Sequence, residues 1–316
     1  IYLAIGIIAI ILIAGIIYLT INNSQEETIK IGIIGHLSGE YADYSVPLKN
    51  AVELAVEETN NAGGINGKKL VLVVEDDETD AVKAATAINK LIGVDKVNYV
   101  ISVQSSKGTA VITPIANTSK KFHMIALGTA PDLTKGKEYV FRSIPSDDYQ
   151  ANIMAKYINE NLKPKNVAGI YLKDAYGTGL KNVIESKISA NFVASELFDP
   201  QESDFTTHLT KIKQANPEVL IIVGAKEDYI NLLKQAKQLG IKTTYFASES
   251  FYDQDTINKI GADAEGIYTL FASDPIDYVN FKTKYINKFN TEPYSYSMYA
   301  YDGVISIIAV SYTHLR

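Results

Sequence analysis

The sequence contains no cysteine. Disulfides, thiolate metal sites and cysteine nucleophiles are thereby excluded, and so is a lipid anchor on an amino-terminal cysteine. Tryptophan is absent too, and methionine is reduced to 3 residues. The histidines His36, His123, His208 and His314 stand far apart and lack the spacing of metal ligands. No glycine-rich dinucleotide fingerprint, phosphate-binding loop or G-x-S-x-G elbow occurs, so neither a cofactor nor an enzyme activity is expected. Positive charge is also in deficit. Lys and Arg number 30 against 36 Asp and Glu, for a net charge of −6. The basic residues are scattered, so no face suits nucleic-acid phosphates.

What is present is an ordinary globular composition, 47% hydrophobic and 21% charged over 316 residues, with tyrosine abundant at 21. That length can build two lobes, each with its own core. The first segment stands apart. Ile1 to Ile21 reads IYLAIGIIAIILIAGIIYLTI without one charge. About 20 such residues at ~1.5 Å rise span the ~30 Å hydrocarbon layer, so a transmembrane anchor is expected. A cleaved signal segment is the alternative. Its apolar stretch is usually shorter and ends in a small-residue cleavage site, which does not follow here. Residues 22–28 read as a polar tether. The chain begins with Ile rather than Met, so a short leading piece is expected before it.

From Ile29 apolar runs alternate with helical periodicity. Ile29–Ile34, Lys69–Val74, Asn98–Val103, Phe122–Leu127 and Tyr139–Ile144 read as strands. Ser45–Asn61, Asp80–Ile92 and Ser105–Ser119 read as helices between them. The pattern then restarts. Helices are expected over Asp147–Leu162, Gly179–Ala190, Asp204–Ala215 and Glu227–Leu239. Strands are expected over Val167–Leu172, Phe192–Phe198, Val219–Val223, Thr243–Ala247 and Gly266–Phe271. Helices Asp277–Phe289 and Ser295–Val310 close the chain. Such alternation means βαβ units and parallel sheets, in an α/β fold of two Rossmann-like lobes joined by a hinge. Ligands of these sheets sit outside the carboxyl ends of the strands. The acidic run Glu75 to Asp80 lacks calcium-loop spacing and reads as a strand-end turn and helix cap.

The segments IKIGIIGHLSGEYADYS, NNAGGINGKKLVLVVEDDETD, VQSSKGTAVITPIA, GTAPDLT, DAYGTGL and KTTYFASES occur in that order. Together they resemble the type I periplasmic solute-binding proteins of the branched-chain amino acid (Leu/Ile/Val) class, the binding subunits of ABC importers. The resemblance runs from about Ile29 to Val310. Ser105 and Ser106 lie at a helix amino terminus, where hydroxyls and free N–H groups suit an anion. The resemblance implies that Ser106 helps to hold a ligand carboxylate. It also implies ligand contacts from Leu127, Gly128 and Thr129 at a strand end, and from the rings of Tyr44 and Tyr176. Glu249 is implied as the partner of an α-ammonium group. Ala225 stands where this class often has an aromatic ring, and Lys107 directly follows the serine pair. Both depart from the leucine-type pattern and leave the cargo open.

The implied lobes are residues 29–145 with 274–316, and residues 146–273, with crossings near Ser143–Asp147 and Phe271–Pro275. SYTHLR, from Ser311 to Arg316, does not continue a helical face, so the first lobe is expected to be cut short at its carboxyl end. The expected function is capture of an amino acid, branched-chain or otherwise apolar, outside the cytoplasm by hinge closure. ABC permease subunits would be the protein partners, and the amino-terminal helix would hold the protein at the membrane unless it is cleaved. A short amide, urea or aromatic acid is the alternative cargo, and a sensory-receptor ectodomain the alternative role.

Overall fold

The computed structural model describes residues 28–39 and 41–314. The expected anchor and nearly all of the tether lie outside the described residues. Among those described, no helix is long and apolar enough to cross a membrane.

The first sheet consists of β1 (Ile29–Gly35), β2 (Leu70–Asp76), β3 (Tyr99–Val103), β4 (Phe122–Ile125) and β5 (Val140–Arg142). All pair in parallel, in the order β2-β1-β3-β4-β5. Helices α1 (Ala42–Asn61), α2 (Ala81–Gly93) and α3 (Ser106–Thr118) make the crossovers. Burial on both faces explains why these strands read as continuous apolar runs. Ile31, Ile33 and Ile101 pack toward Leu48 and Val52 of α1 on one face. Ile34 and Val100 pack toward Ile88 and Leu91 of α2 on the other. Two later helices, α9 (Tyr278–Phe289) and α10 (Ser297–His314), return to the first face and bring Tyr285, Val304 and Ile307 into its core.

The second sheet holds β6 (Asn166–Leu172), β7 (Asn191–Phe198), β8 (Val219–Val223) and β9 (Thr244–Ala247), again parallel, ordered β7-β6-β8-β9. Its helices are α4 (Asp147–Tyr157), α5 (Ala175–Lys187), α6 (Thr206–Ala215), α7 (Lys226–Gln238) and α8 (Gln254–Ile260). Strand β8 shows the logic of a doubly covered sheet. Val219, Ile221 and Val223 enter one core with Met154 and Leu180, while Leu220 and Ile222 enter the other with Phe205 and Leu232.

Two expectations change, and a third keeps its bounds with a different helical geometry. Gly266–Phe271 forms no strand; it makes a single parallel bridge, Tyr268 to Phe246, beside β9. Beyond it the Thr269 hydroxyl turns to donate to the Ser248 carbonyl at 3.0 Å, so the segment does not extend the ladder. The helix begun at Asp147 widens to a π-turn over Ile158–Leu162 and stops at Lys163 in the left-handed conformation. The last helix does not stop at Val310 but runs to His314. The Ser311 hydroxyl donates to the Ile307 carbonyl at 2.8 Å and lies 2.7 Å from the Tyr99 hydroxyl, a contact that docks the turn on β3.

One glycine sets how closely α5 approaches its own strand. A Cβ on Gly177 would lie 2.0 Å from the carbonyl oxygen of Leu172. A backbone atom cannot step aside cheaply, so Gly177→Ala is expected to destabilise the fold by about 3 kcal/mol. Urea denaturation checks this; an unchanged midpoint would contradict the close approach.

Candidate functional site

Both sheets reverse strand order next to the strand that comes first in sequence, between β1 and β3 and between β6 and β8. Loops diverge at such points and leave a crevice at the carboxyl ends of the strands. A cleft of about 650 Å³ lies there, lined from both sheets. The first sheet contributes Ser105 and Ser106 after β3, and Leu127 and Thr129 after β4. The second contributes Tyr176 after β6, Ala225 after β8 and Glu249 after β9. Tyr44, from the first turn of α1, also lines it. Of the residues singled out in the sequence, Gly128 alone does not. It is buried behind the cleft, where a Cβ would come within 2.9 Å of the Thr109 hydroxyl. Its small size serves the packing of α3 against the strand end.

Glu249 is 8% exposed. The Tyr176 hydroxyl donates to its Oε2 at 2.9 Å, and the Gln150 amide donates to the same oxygen. Neither donor is charged. Burial raises the carboxyl above its ordinary range, although both hydrogen bonds pull it back down. A network holds this corner in place. The Tyr176 hydroxyl lies 2.8 Å from Ser248 Oγ, Tyr229 lies 2.7 Å from both Ser248 and Ser250, and the Ser250 hydroxyl donates to the Gly224 carbonyl at 2.9 Å.

Asp147 stands nearby at 1% exposure, at the start of α4. Among the described residues, neither of its carboxylate oxygens has a partner in good hydrogen-bonding geometry, though the Thr129 hydroxyl is close. Burial, and secondarily the charge of Glu249, hold its carboxyl well above the ordinary range. Two buried acids thus adjoin one another, and the cation that faces Asp147 is Arg142. Arg142 is itself committed to a loop: it donates to the carbonyls of Thr129 at 2.8 Å, Ala130 at 2.9 Å and Pro131 at 3.3 Å.

On the opposite side, Ser106 Oγ accepts the backbone N–H groups of Thr129 and Ala130, each at 3.1 Å. This ties the amino end of α3 to the strand end that carries Thr129. Ser105 caps α3 without a side-chain bond to it. Its hydroxyl instead lies 3.0 Å from Nε2 of His36.

Aromatic rings close one wall. Tyr44 meets Tyr294 edge-on at 5.3 Å between centroids, and Tyr294 meets Tyr296 at 5.6 Å. Tyr294 and Tyr296 were not singled out in the sequence. They arrive from the segment between α9 and α10, and no spacing marks them. Tyr41, Asp174, Glu78, Thr79 and Asp80 also border the cleft. The acidic run does serve as turn and cap: Asp80 accepts from the N–H groups of Val82 and Lys83, and Asp76 from those of Leu37 and Ser38. Among the described residues, no group of three or more His, Asp or Glu side chains is placed to hold a metal ion.

The comparisons agree with this architecture. The model of the periplasmic binding protein family matches residues 28–310. The Leu/Ile/Val-binding protein of Escherichia coli K12 is 32% identical over 272 residues, which covers 84% of this chain and 73% of the relative. Among solved structures, LivJ of Streptococcus pneumoniae, a branched-chain amino acid transporter substrate-binding protein in complex with isoleucine, superposes with a TM-score of 0.79. It is 27% identical, over 90% of this chain and 84% of that one. A solute-binding protein of Rhodopseudomonas palustris in complex with 3,4-dihydroxybenzoic acid shares the fold at a TM-score of 0.78 and 20% identity, over 90% of this chain and 81% of that one. These relatives are solute-binding proteins rather than enzymes. The chain belongs to the periplasmic binding protein family, in the type I group of the branched-chain amino acid transporters.

Proposed function

We propose that this protein is the extracytoplasmic binding subunit of an ABC importer and that its cleft takes an apolar, branched-chain amino acid as the zwitterion. The observation that carries the reading is Glu249: a buried carboxylate, hydrogen-bonded among the described residues by neutral groups alone, at the wall of a ligand-sized cleft. A buried charge is stable only when paired, and a ligand ammonium would supply the missing partner. Across the cleft, the Ser106 hydroxyl and the amino end of α3 would receive the ligand carboxylate. Leu127, Ala225 and the tyrosine wall would enclose the apolar side chain.

The acid and the serines belong to different sheets. A ligand that touches both therefore favours the arrangement in which the lobes are closed, by its difference in affinity for the two states. In this reading residues 29–145 and 274–316 form one lobe and residues 146–273 the other. The closed form would dock on the permease, and the apolar residues 1–21 would hold the protein at the outer face of the membrane.

Tyr44, Tyr176, Tyr294 and Tyr296 favour one competing cargo, an aromatic acid. Such an acid has no ammonium, however, and would leave Glu249 without a counter-charge. The amino acid is therefore preferred. A thermal-shift screen tests it. At a concentration of ~100 Kd, Leu, Ile or Val should add about 2.7 kcal/mol of stability, and hydroxybenzoates should add none. A shift with hydroxybenzoates alone, from folded protein, would overturn the amino-acid reading.

A further inference from the structure

The neighbouring serines of the cleft carry opposite hydrogen-bond polarity, and a buried histidine sets it. In the parallel register of β1 and β2, Gly35 lies opposite Asp76, so the next residues, His36 and Asp77, emerge side by side. His36 is 1% exposed and Asp77 0%. Asp77 Oδ1 lies 2.6 Å from Nδ1 of the ring. On the other side of the ring, the backbone N–H of Ser105 points at Nε2 at 2.9 Å.

A backbone N–H can only donate. Nε2 therefore carries a lone pair, and the single ring proton sits on Nδ1, donated to Asp77. Ser105 Oγ lies 3.0 Å from that same Nε2. The hydroxyl shares that one lone pair with the N–H of its own residue in a three-centre bond, and with its only proton turned to the ring, what Ser105 turns to the cleft is lone pairs. Ser106 is the reverse. Its oxygen already accepts two backbone N–H groups, at 3.1 Å each, while its proton has no acceptor among the described residues. Ser106 thus remains a donor.

We infer that His36, held by Asp77, is a specificity-determining residue that fixes Ser105 as a hydrogen-bond acceptor, so that the cleft selects ligands presenting an N–H donor to Ser105 and a carboxylate oxygen to Ser106. The inference rests on the amino-acid reading of the cleft and narrows it. A 2-oxo acid with the same side chain offers an oxygen lone pair where Ser105 offers another, and is rejected at this position independently of Glu249. His36 is a positioning residue, acting through Ser105.

The test uses calorimetric titration with L-leucine and with its 2-oxo acid. Ser105→Ala should weaken leucine about tenfold, the worth of one hydrogen bond, and should not weaken the 2-oxo acid, which loses a repulsion there. Ser106→Ala should weaken both, because both carry the carboxylate. The double variant His36→Leu, Asp77→Leu removes the relay without orphaning the acid, and should narrow the preference for leucine by about the same tenfold. Nitrogen-15 spectra of the His36 ring, read on the unaltered protein, should show Nδ1 protonated and Nε2 bare. A protonated Nε2, or equal losses for both ligands in Ser105→Ala, overturns the inference. Binding of neither ligand to folded protein would instead strike the amino-acid reading on which it rests.

Discussion

Replacing Glu249 with glutamine should abolish tight binding of amino acids while leaving the fold intact. The amide keeps the shape of the carboxylate and the contact with Tyr176, which lies 2.9 Å from Oε2. What is lost is the charge. Removing one partner of a buried ion pair costs about 3–5 kcal/mol, so affinity should fall at least 100-fold. Without ligand, the variant should be no less stable than the parent at neutral pH, because it no longer holds an unpaired charge away from water. Calorimetry and thermal denaturation of the same samples give both numbers. Unchanged affinity would remove Glu249 from the site.

The same acid gives the pH dependence a definite sign. Burial raises the carboxyl groups of Glu249 and Asp147 above the ordinary carboxylate range. An ammonium ligand pairs with the ionised form, so affinity should rise as pH climbs through the raised values and fall below them. Stability without ligand runs the other way. In the unfolded chain these acids ionise at their ordinary pKa values, whereas the buried ones hold their protons longer. Their contribution is present at low pH and is lost as pH rises from the ordinary carboxylate range through the raised values. A saturating ligand should flatten that loss.

The second large effect is expected at Arg142. Its guanidinium gathers the carbonyls of Thr129, Ala130 and Pro131 and the Thr134 hydroxyl. Burial and the charge of Glu249 raise the Asp147 carboxyl, and the charge of Arg142 acts against them. Arg142→Met keeps most of the side chain's bulk but takes a charged donor from three carbonyl oxygens, of which that of Thr129 keeps the Asp147 N–H at 3.0 Å and that of Ala130 the Leu133 N–H at 3.3 Å. Hydrogen bonds to charged groups are worth roughly 1.5–3 kcal/mol each, and they share one guanidinium. A loss of about 3 kcal/mol is expected, or a Tm lower by about 5–10 °C. Thr129 would lose one of its anchors, beside Ser106 and the Asp147 N–H, so ligand affinity should fall as well. A Tm within 1 °C of the parent would show that the loop is held by other means.

Much of the fold was legible because doubly covered parallel strands leave an unmistakable trace. VLIIV at Val219–Val223 and IKIGIIG at Ile29–Gly35 are both buried almost throughout, and apolar content alone marks them. Boundaries were harder where the local signal is weak. Helix α1 begins at Ala42 rather than near Ser45, and its amino end at Tyr41 has no side-chain cap to advertise it. Pro47 lies inside the helix, in its second turn, where a proline usually reads as a start.

The site divides in the same way. Ser105, Ser106, Thr129 and Glu249 sit at strand ends, and strand ends can be counted. Tyr294 and Tyr296 reach the cleft only through the return of the chain to the first sheet. Asp147 reads as an ordinary acid in the first turn of a helix, because nothing in the sequence says that it is buried. The contact of His36 with Asp77 depends on strand register between residues 41 positions apart in the chain. A histidine judged by sequence spacing alone was bound to be set aside.

A crystal structure of the protein grown with L-leucine tests the central claim most directly. The account predicts the ligand between the two sheets, its ammonium about 3 Å from the Glu249 carboxylate and its carboxylate against Ser106 at the amino end of α3. A ligand bound in the reverse orientation, or one that leaves Glu249 facing no cation, would contradict it.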